Sequence, residues 1–258
     1  MKNFLEPFEF LLWSAFAIIW WTLTLTALFP FVVLLKCCKT FRNKWFAWLF
    51  TKLCIPIFDS KLIPLRKAQF ALLDRHLSQR NKSVPLKVLE IGIGSGANLP
   101  FYPENSKLTT VDMNKSFGEY FRQNQKNYPQ VSYERAIHGF AENMKEIEDS
   151  SMDVVVSTYT LCSVADVTAV LKEVKRVLKP GGKYVFHEHI AYPSTEWKST
   201  LQWVVAPIWR TYFDGCCLNR NLDADIRKTG FSDIICDKKY LYQINMFVRP
   251  HIVGIATK

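Results

Sequence analysis

Three alternating glycines, Gly92, Gly94 and Gly96, follow a short apolar run at residues 88–91. Glycine has no Cβ atom to keep a ligand away from the backbone, and it adopts positive φ without a steric penalty. The N–H groups exposed in such a turn, and at the start of a helix behind it, suit a carboxylate or another anion. The spacing predicts a buried strand that runs into an anion-binding turn, with a helix opening at Ala97.

Asp112 ends a second predicted strand, residues 108–112, twenty residues beyond Gly92. A carboxylate in that position can accept hydrogen bonds from both hydroxyl groups of a ribose. Gly92, Gly94 and Ala97 also satisfy the looser dinucleotide pattern G-x-G-x-x-A. The turn and the acid therefore indicate a cofactor that contains adenosine, and they leave open a nicotinamide dinucleotide or S-adenosylmethionine (SAM).

Further polar residues stand at the ends of two later strands, predicted at residues 153–158 and 183–187. In doubly wound sheets, ligands bind beyond the carboxyl ends of the strands. Thr158 ends the first of these strands, and Glu188 and His189 follow the second. Glu188 and His189 are therefore candidates for orienting or deprotonating a substrate, although a structural role for His189 remains open.

The remaining pattern predicts an α/β protein with a doubly wound sheet. A weaker strand is expected at residues 131–134 and two final strands at 234–241 and 252–257. Helices are expected at residues 63–79, 167–178 and 221–229. Residues 197–213 are unusually apolar and aromatic for a connector, which suits either a core helix or a lid over an apolar substrate pocket.

The positive charge of the chain is concentrated in one segment. The net charge is +10, and residues 36–87 contain twelve Lys or Arg with two acidic residues, so the rest of the chain is neutral. This excess directly follows an apolar stretch, where each Lys or Arg near an anionic membrane contributes about 1 kcal/mol of binding. The location favours membrane lipids as partners and argues against nucleic acid.

Residues 10–35 contain no charged side chain. As a helix, at about 1.5 Å per residue, this stretch exceeds the roughly 30 Å hydrocarbon core of a bilayer. The basic residues that follow it place the rest of the chain in the cytosol by the positive-inside rule. Pro30 and the central Trp20 and Trp21 complicate a simple span. A shallow helix or half-hairpin in one leaflet remains an alternative.

Three regions follow from these observations. Residues 1–35 form a hydrophobic anchor, residues 36–82 a basic juxtamembrane or interfacial segment with a cap helix, and residues 83–258 the catalytic domain. Within the middle region, residues 45–58 suit either an interfacial segment or a helix packed on the domain. The seven cysteines show no C-x-x-C pair and no Cys/His ligand spacing, so no metal site is predicted.

The strand, glycine turn, helix, strand and acid, with the later turn Lys179-Pro180-Gly181-Gly182, resemble class I SAM-dependent methyltransferases, and most of all their UbiE-like branch. The Lys-Pro-Gly-Gly turn distinguishes this pattern from a nicotinamide enzyme. The resemblance covers residues 86–258 and implies a Rossmann-like class I methyltransferase fold. That fold has a seven-stranded, mostly parallel sheet with helices on both faces, here preceded by a membrane-anchoring helix.

A closer resemblance is to the methyltransferase-like seven family. It is carried by the uncharged N-terminal stretch and by four short tracts, at residues 94–103, 161–164, 213–216 and 248–252. That family consists of membrane-anchored alkyl thiol S-methyltransferases of the endoplasmic reticulum and lipid droplets. The resemblance implies a catalytic domain that faces the cytosol, a lipophilic thiol as substrate and SAM as cofactor.

The resemblance also implies roles for individual residues. Glu90 and the three glycines would line the methionine end of SAM, and Asp112 would bind its ribose. Ala141, Glu142 and Thr158 are assigned to the same cofactor site. Many related enzymes bind the adenine amino group through an Asp where this chain has Phe140. Glu142 could replace that Asp, or stacking and backbone contacts could hold the adenine.

The implied reaction is in-line transfer of the SAM methyl group to a thiol sulfur. A thiol with a pKa near 8.5 already contains a few per cent thiolate at neutral pH, so a strong general base is less necessary than for an alcohol. Candidates for deprotonation or orientation are His189, Glu188 and Asp214. Two alternatives remain: a lipid quinone or another membrane small molecule as acceptor, or a non-catalytic protein of the membrane or lipid-droplet surface.

Overall fold

A computed structural model describes the backbone of residues 2–258 and the side chains of residues 6–258. The strands are β1 (Leu86–Ile91), β2 (Ser106–Asp112), β3 (Val131–His138), β4 (Met152–Thr158), β5 (Leu178–His189), β6 (Asp233–Tyr240) and β7 (Pro250–Thr257). The helices are α1 (Lys2–Leu25), α2 (Phe29–Cys37), α3 (Lys39–Leu49), α4 (Ile55–His76), α5 (Gly118–Gln125), α6 (Val167–Val177), α7 (Trp197–Tyr212) and α8 (Leu222–Lys228).

The seven strands form one sheet in the order β3-β2-β1-β4-β5-β7-β6. The first five strands pair in parallel, and β7 runs antiparallel to both β5 and β6. Residues 154–156 of β4 are fully buried, as expected for a central strand that is covered on both faces. The predicted fold class, a Rossmann-like and mostly parallel seven-stranded sheet, is confirmed.

The helix predicted at Ala97 does not form. A single 3-10 turn, Leu99–Phe101, connects the glycine turn to the next loop. Pro100 and Pro103 explain the difference, because proline lacks the backbone N–H and disfavours helical φ and ψ in the residue before it. The sheet face left uncovered by this missing helix is covered by α4 instead.

Helix α4 is an integral layer of the fold. Its buried Phe70 and Leu73 pack against sheet residues that include Val88 and Val156. On the other face of the sheet, α6 and α8 pack over β1, β4 and β5. The amphipathic pattern predicted a helix at residues 63–79, and the observed helix begins earlier, at Ile55.

The N-terminal apolar stretch folds as two helices, and the break falls at residues 26–28, just before Pro30. Glu6–Leu25 is long and apolar enough to cross a membrane. One side of α1 nevertheless packs along α7 and the loop before β7. This side comprises residues spaced by four, three and four positions: Trp13, Ala17, Trp20 and Thr24.

Both aromatic and ionic contacts hold α1 on the domain. The rings of Trp13 and Phe247 lie 5.3 Å apart, and those of Trp20 and Trp209 lie 6.0 Å apart. Glu9 forms an ion pair with Arg249 at 2.7 Å. The opposite side of α1 exposes a row of large apolar side chains: Phe8, Leu11, Leu12, Ile18 and Ile19.

Residues 45–58 are helical and continuous with α4 through a π-helical turn at Phe50–Cys54. Phe46 and Phe50 pack edge-on against Phe117, beside the start of α5. Trp48 and Ile57 remain exposed. Of the two alternatives for this segment, the structure shows the helix packed on the domain.

Candidate active site

The three glycines of the turn all adopt positive φ, at +71° for Gly92, +53° for Gly94 and +82° for Gly96. A Cβ atom on Gly92 would lie 2.2 Å from Oγ1 of Thr160, and one on Gly96 would lie 2.6 Å from Leu99. At Gly94 the nearest side-chain atoms would be 3.8 Å away. Gly92 and Gly96 are therefore required by close packing, whereas Gly94 is required by its positive φ, and a Cβ atom there would lie at ordinary contact distance from Phe50 and Phe117.

Asp112 lies against this turn. Its Oδ2 accepts the N–H of Gly94 at 3.1 Å, and its Oδ1 accepts the N–H of Asn114 at 2.8 Å. Burial raises the pKa of the Asp112 carboxyl, and the two N–H bonds oppose this shift. A carboxylate offers about four lone-pair sites, so acceptor capacity for two ribose hydroxyls remains.

Glu90 is buried at the end of β1 and is 2% exposed. Its carboxylate accepts hydrogen bonds from Nδ2 of Asn98, at 2.7 Å, and from the hydroxyl group of Tyr102. Burial raises the pKa of Glu90 to about 8, although these two bonds lower it. Asn98 also donates to Oγ1 of Thr158 at 2.9 Å, so the predicted residues Glu90 and Thr158 share one polar cluster.

Asn98 and Tyr102 were not predicted as site residues. The Oδ1 atom of Asn98 is buried and has no hydrogen-bond partner among the described residues. An unpaired buried acceptor costs free energy, and a ligand donor beside the glycine turn would satisfy it. Both residues belong to the tract at residues 94–103 that carries the family resemblance, and this was the sequence signal that could have found them.

The residues predicted near the adenine have other contacts. Glu142 Oε1 accepts the backbone N–H of Ala165 at 2.7 Å, just before α6. Ala141 is buried in the hydrophobic core. Phe140 is 55% exposed, and its ring lies 5.9 Å from Nζ of Lys39. Phe140 is therefore free to stack with a planar group, whereas Glu142 orders a loop.

Asp214 links the domain to the N-terminal helices. Its Oδ1 accepts Nε of Arg42, in α3, at 3.1 Å, and its Oδ2 accepts Nδ2 of Asn114 at 3.3 Å. The same Asn114 amide donates to the backbone oxygen of Asn43 at 3.1 Å. Burial raises the pKa of Asp214, and the charge of Arg42 opposes this shift. Helix α3 is therefore connected to the loop that follows Asp112.

Glu188 and His189 lie at the carboxyl end of β5, as predicted, and both are buried. Glu188 Oε1 accepts the N–H groups of Thr160 and Leu161, each at 3.0 Å. Its Oε2 has no hydrogen-bond partner among the described residues. Burial raises the pKa of Glu188 despite the two N–H bonds. The free oxygen could therefore hold a proton.

His189 faces two cysteines. Its Nε2 lies 3.0 Å from Sγ of Cys216, which in turn lies 3.6 Å from Sγ of Cys162. Burial by itself would lower the pKa of His189, but the neighbouring Cys162 and Glu188 outweigh it and raise the pKa. Neither cysteine was predicted as a site residue.

Two further buried histidines, His187 and His251, share one tyrosine as a hydrogen-bonding partner. The hydroxyl of Tyr159, a residue with φ of +54°, is 2.8 Å from Nε2 of His251 and 3.2 Å from Nε2 of His187. Burial lowers the pKa of His251 to about 3 and also lowers the pKa of His187. Both rings are therefore neutral at physiological pH and serve as hydrogen-bonding partners of Tyr159.

A cavity of about 340 Å³ lies between these loops and the N-terminal helices. The domain contributes Met113, Ser163, Asp214 and Gly215, and α2 and α3 contribute Leu35, Lys36 and Arg42. Met113 follows Asp112, and Ser163 follows Cys162. The cavity therefore adjoins both the predicted ribose site and the cysteines.

The Methyltransferase domain family matches residues 89–186. The chain is 37% identical to thiol S-methyltransferase TMT1B of Rattus norvegicus over 236 residues, covering 92% of this chain and 95% of that protein. It is 34% identical to thiol S-methyltransferase TMT1A of Homo sapiens over 216 residues, or 84% and 87% of the two chains. The chain belongs to the thiol S-methyltransferase family. It is accordingly a SAM-dependent methyltransferase.

The solved structures agree with this fold. A SAM-dependent methyltransferase from Thermotoga maritima, described as a possible histamine N-methyltransferase, aligns with a TM-score of 0.51 at 18% identity. The alignment covers 83% of this thiol S-methyltransferase family member and 99% of the Thermotoga chain. At that identity the likeness shows the fold alone.

The residues at the glycine turn fit SAM, the cofactor of this family. The spare acceptor capacity of Asp112 and the unpaired Oδ1 of Asn98 both lie beside the glycine turn, at the carboxyl ends of β1 and β2. Asp112 suits ribose hydroxyl groups, and Asn98 suits an ammonium donor. These two residues therefore offer hydrogen-bond acceptors that an amino-acid nucleoside can use.

Proposed function

We propose that this protein methylates the sulfur of lipophilic alkyl thiols at a membrane surface. The observation that carries the proposal is the similarity to thiol S-methyltransferases over 92% of the chain. The exposed apolar side of α1 and the exposed Trp203 of the adjoining α7 support a lipophilic acceptor, because they offer an apolar surface.

Cofactor binding is assigned to Glu90, Gly92, Gly94, Gly96, Asp112, Ala141, Glu142 and Thr158. When bound, SAM supplies an electrophilic methyl group on its sulfonium. The chain contributes alignment of the acceptor and exclusion of water. We assign ribose binding to Asp112 and support of the methionine end to the Glu90, Asn98 and Thr158 cluster. The exposed Phe140 favours stacking as the means of holding the adenine.

Three residues were proposed to accept or orient the thiol proton: His189, Glu188 and Asp214. Asp214 already pairs with Arg42 and Asn114, which favours the other two. Glu188 offers a free buried oxygen, and His189 offers an imidazole beside the cysteines. The two residues lie where an acceptor would enter, at the carboxyl end of β5.

We propose that α1 lies parallel to the membrane surface, within one leaflet. The contacts of α1 with the domain extend from Glu9, which pairs with Arg249, to Thr24, which contacts Tyr212. A helix that crossed the bilayer in this arrangement would carry part of the folded domain into the hydrocarbon. An interfacial helix exposes only its apolar side to lipid. This supports the one-leaflet alternative, with lipids as partners.

We place the protein at the endoplasmic reticulum membrane or the lipid droplet, with the catalytic domain in the cytosol. The support is the family resemblance and the basic segment that follows the apolar helices. Imaging of a fluorescently tagged full chain with markers of both compartments tests the assignment. Uniform cytosolic fluorescence would contradict it.

The acceptor class is tested with detergent-solubilised full-length protein and labelled SAM. A series of alkyl thiols of equal thiol pKa is compared with a hydrophilic thiol and with a lipid quinol. The expected kcat/KM rises by up to about fourfold for each added methylene, since each contributes about 0.8 kcal/mol of burial. Equal turnover of polar and lipophilic thiols, or preferred methylation of the quinol, would contradict a lipophilic thiol substrate.

A further inference from the structure

Three soft or borderline ligand atoms converge beside the proposed acceptor position. Sγ of Cys162, Sγ of Cys216 and a ring nitrogen of His189 all lie within 4.8 Å of one another. The two sulfurs are 3.6 Å apart, and Nε2 of His189 is 3.0 Å from Sγ of Cys216. All three side chains are buried.

The three residues come from three separate parts of the chain. Cys162 follows β4, His189 ends β5, and Cys216 follows α7. Each lies 27 residues from the next along the chain, which is unlike the short ligand spacings that sequence patterns detect. The fold, rather than a local motif, therefore assembles the cluster.

The spacing suits a tetrahedral metal ion. Zn²⁺ binds cysteine sulfur at about 2.3 Å and histidine nitrogen at about 2.0–2.1 Å. A tetrahedral ion would thus place two sulfurs about 3.8 Å apart and a sulfur and nitrogen about 3.6 Å apart. The sulfur–sulfur distance of 3.6 Å is close to the value for zinc. The 3.0 Å between Nε2 of His189 and Sγ of Cys216 is about 0.6 Å shorter than zinc ligation needs, so the imidazole would have to move away from Cys216 as the ion binds.

The surroundings also suit a metal thiolate. Nε1 of Trp209 donates a hydrogen bond to Sγ of Cys216 at 3.3 Å, as donors around metal-bound sulfur commonly do. Two sulfurs and one imidazole form a three-ligand set of the kind that leaves one coordination position open in catalytic zinc sites. Ser163 and Gly215, the chain neighbours of the two cysteines, line the cavity described above.

We infer that Cys162, His189 and Cys216 form a three-ligand site for Zn²⁺, whose open fourth position takes the sulfur of the thiol acceptor. The second half of this inference rests on the proposed function, whereas the metal site does not. On binding, the S–H bond of the acceptor breaks, a metal–sulfur bond forms, and the proton passes to solvent. His189 then acts as a metal ligand and not as the proton acceptor considered above. The site thereby holds the acceptor as a thiolate in a buried position, where a free thiolate would be costly.

The metal content of the full chain, purified in detergent with reductant, tests the site. Zinc is measured by mass spectrometry, and the expected content is about one ion per chain. Cys162→Ser, Cys216→Ser and His189→Ala should each lose most of this zinc. The matched control is Cys217→Ser, which removes the partly buried neighbouring thiol outside the cluster and should retain it.

Cobalt titration provides a test that does not depend on variant folding. Co²⁺ added to the metal-free wild-type chain should give a thiolate charge-transfer band that saturates at about one equivalent, as expected for a tetrahedral site with cysteine ligands. Addition of an alkyl thiol should then change the cobalt spectrum. A spectrum unchanged by thiol would overturn the acceptor role, whether or not methyl transfer is observed.

Three results would overturn the metal site itself. These are the absence of stoichiometric Co²⁺ binding, equal zinc content in the wild type and the Cys162→Ser/Cys216→Ser double variant, and a Cys162–Cys216 disulfide in protein isolated with a thiol-blocking reagent. Failure of the proposed function would give a different result from failure of the metal site. The chain would then bind zinc at about one ion per chain but would form no thioether.

Discussion

Glu90 combines nearly complete burial with a titratable carboxyl group. Its pKa is raised to about 8, mainly by burial, from an ordinary value of 4.5. Between these two values the native protein binds a proton that the unfolded chain releases. The free energy of unfolding therefore falls as pH rises through this window, by about 1.4 kcal/mol per pH unit at most.

Glu90→Gln should remove this pH dependence in the cofactor-free protein. Glutamine can accept from Asn98 through its oxygen and donate to the Tyr102 hydroxyl through its nitrogen, so both partners remain bonded. Melting temperatures measured between pH 5 and pH 8 should fall more steeply for the wild type than for Glu90→Gln. The exposed Glu119→Gln serves as control and should follow the wild type. Parallel curves for the wild type and Glu90→Gln would contradict the assigned pKa.

Arg42 connects an N-terminal helix to the cofactor site through Asp214 and Asn114. Arg42→Ala leaves the buried Asp214 carboxylate without its charged partner, and the loop beside Asp112 loses a restraint. A hydrogen bond to a charged group contributes about 1.5–3 kcal/mol, so the Kd for SAM should rise by roughly tenfold or more. Isothermal titration calorimetry measures this Kd. Lys44→Ala removes an exposed charge from the same helix and should bind SAM normally, and an unchanged Kd for Arg42→Ala would refute the connection.

Among the elements, α4 covers the sheet face that lacks the helix predicted after the glycine turn. The amphipathic pattern at residues 63–79 predicted a helix. It did not show that this helix would take the place on the sheet of the helix expected from Ala97, which Pro100 and Pro103 prevent. Since α4 supplies the fully buried Leu73 to the core, we propose that the folding unit begins at α4 and not at residue 83.

Leu73→Ala should therefore destabilise the whole domain. Truncation of a fully buried leucine costs about 2–5 kcal/mol, from lost transfer free energy and the cavity left behind. Chemical denaturation followed by intrinsic tryptophan fluorescence measures the change. Ile63→Ala, in the same helix and 39% exposed, should cost much less. Equal effects of the two substitutions would show that α4 does not act as a core layer.

The strand bounds were predicted within one residue for β4 and β6 but were incomplete for β3 and β5. Strand β5 was expected at residues 183–187 and begins at Leu178, so the turn predicted at residues 179–182 lies within the strand. The apolar run of β4 was predicted within one residue of its observed start, whereas β3 was expected at residues 131–134 and extends to His138. Strand β3 lies at the edge of the sheet, and its exposed Arg135 and Glu134 hide the pattern. An edge strand tolerates polar residues because only part of it is covered.

For the site, the sequence located Gly94, Asp112, Glu188 and His189 correctly at the carboxyl ends of their strands. It did not bring Cys162 and Cys216 together with His189, because these three parts of the chain meet only after the sheet and α7 have packed. Glu142, which was predicted near the adenine and stays among the proposed cofactor residues, also accepts the backbone N–H of Ala165, a contact that the sequence did not predict. Contacts between distant loops depend on packing that residue spacing does not encode.

On the scale of the whole molecule, the proposed function requires the N-terminal helices to join an apolar surface that faces the membrane to the cofactor site. The exposed side of α1, with Ile18 and Ile19 at its centre, and the exposed Trp203 of α7 are the surface available to lipid. The other side of α1 is held on the domain. In the proposed arrangement, membrane attachment and acceptor entry are therefore adjacent.

Ile18→Asp with Ile19→Asp should release the protein from membranes without unfolding it. Each isoleucine contributes about 1.5–3 kcal/mol when buried in an apolar phase, so partition into liposomes should weaken by roughly two to four orders of magnitude. Vesicle flotation measures the partition. Val84→Asp replaces an exposed apolar residue before β1 and should bind as the wild type does. Equal flotation of the double variant would exclude this surface.

The most direct test of the central claim is methyl transfer from labelled SAM to a lipophilic alkyl thiol by the full chain in detergent. The wild type and the exposed control Asp237→Ala should form thioether. Asp112→Ala loses two hydrogen bonds to the ribose, each of about 1.5–3 kcal/mol for a charged group, so its rate at low SAM should fall by about 100-fold or more. Absence of thioether from wild-type protein that binds SAM, or an undiminished rate in Asp112→Ala, would contradict the account.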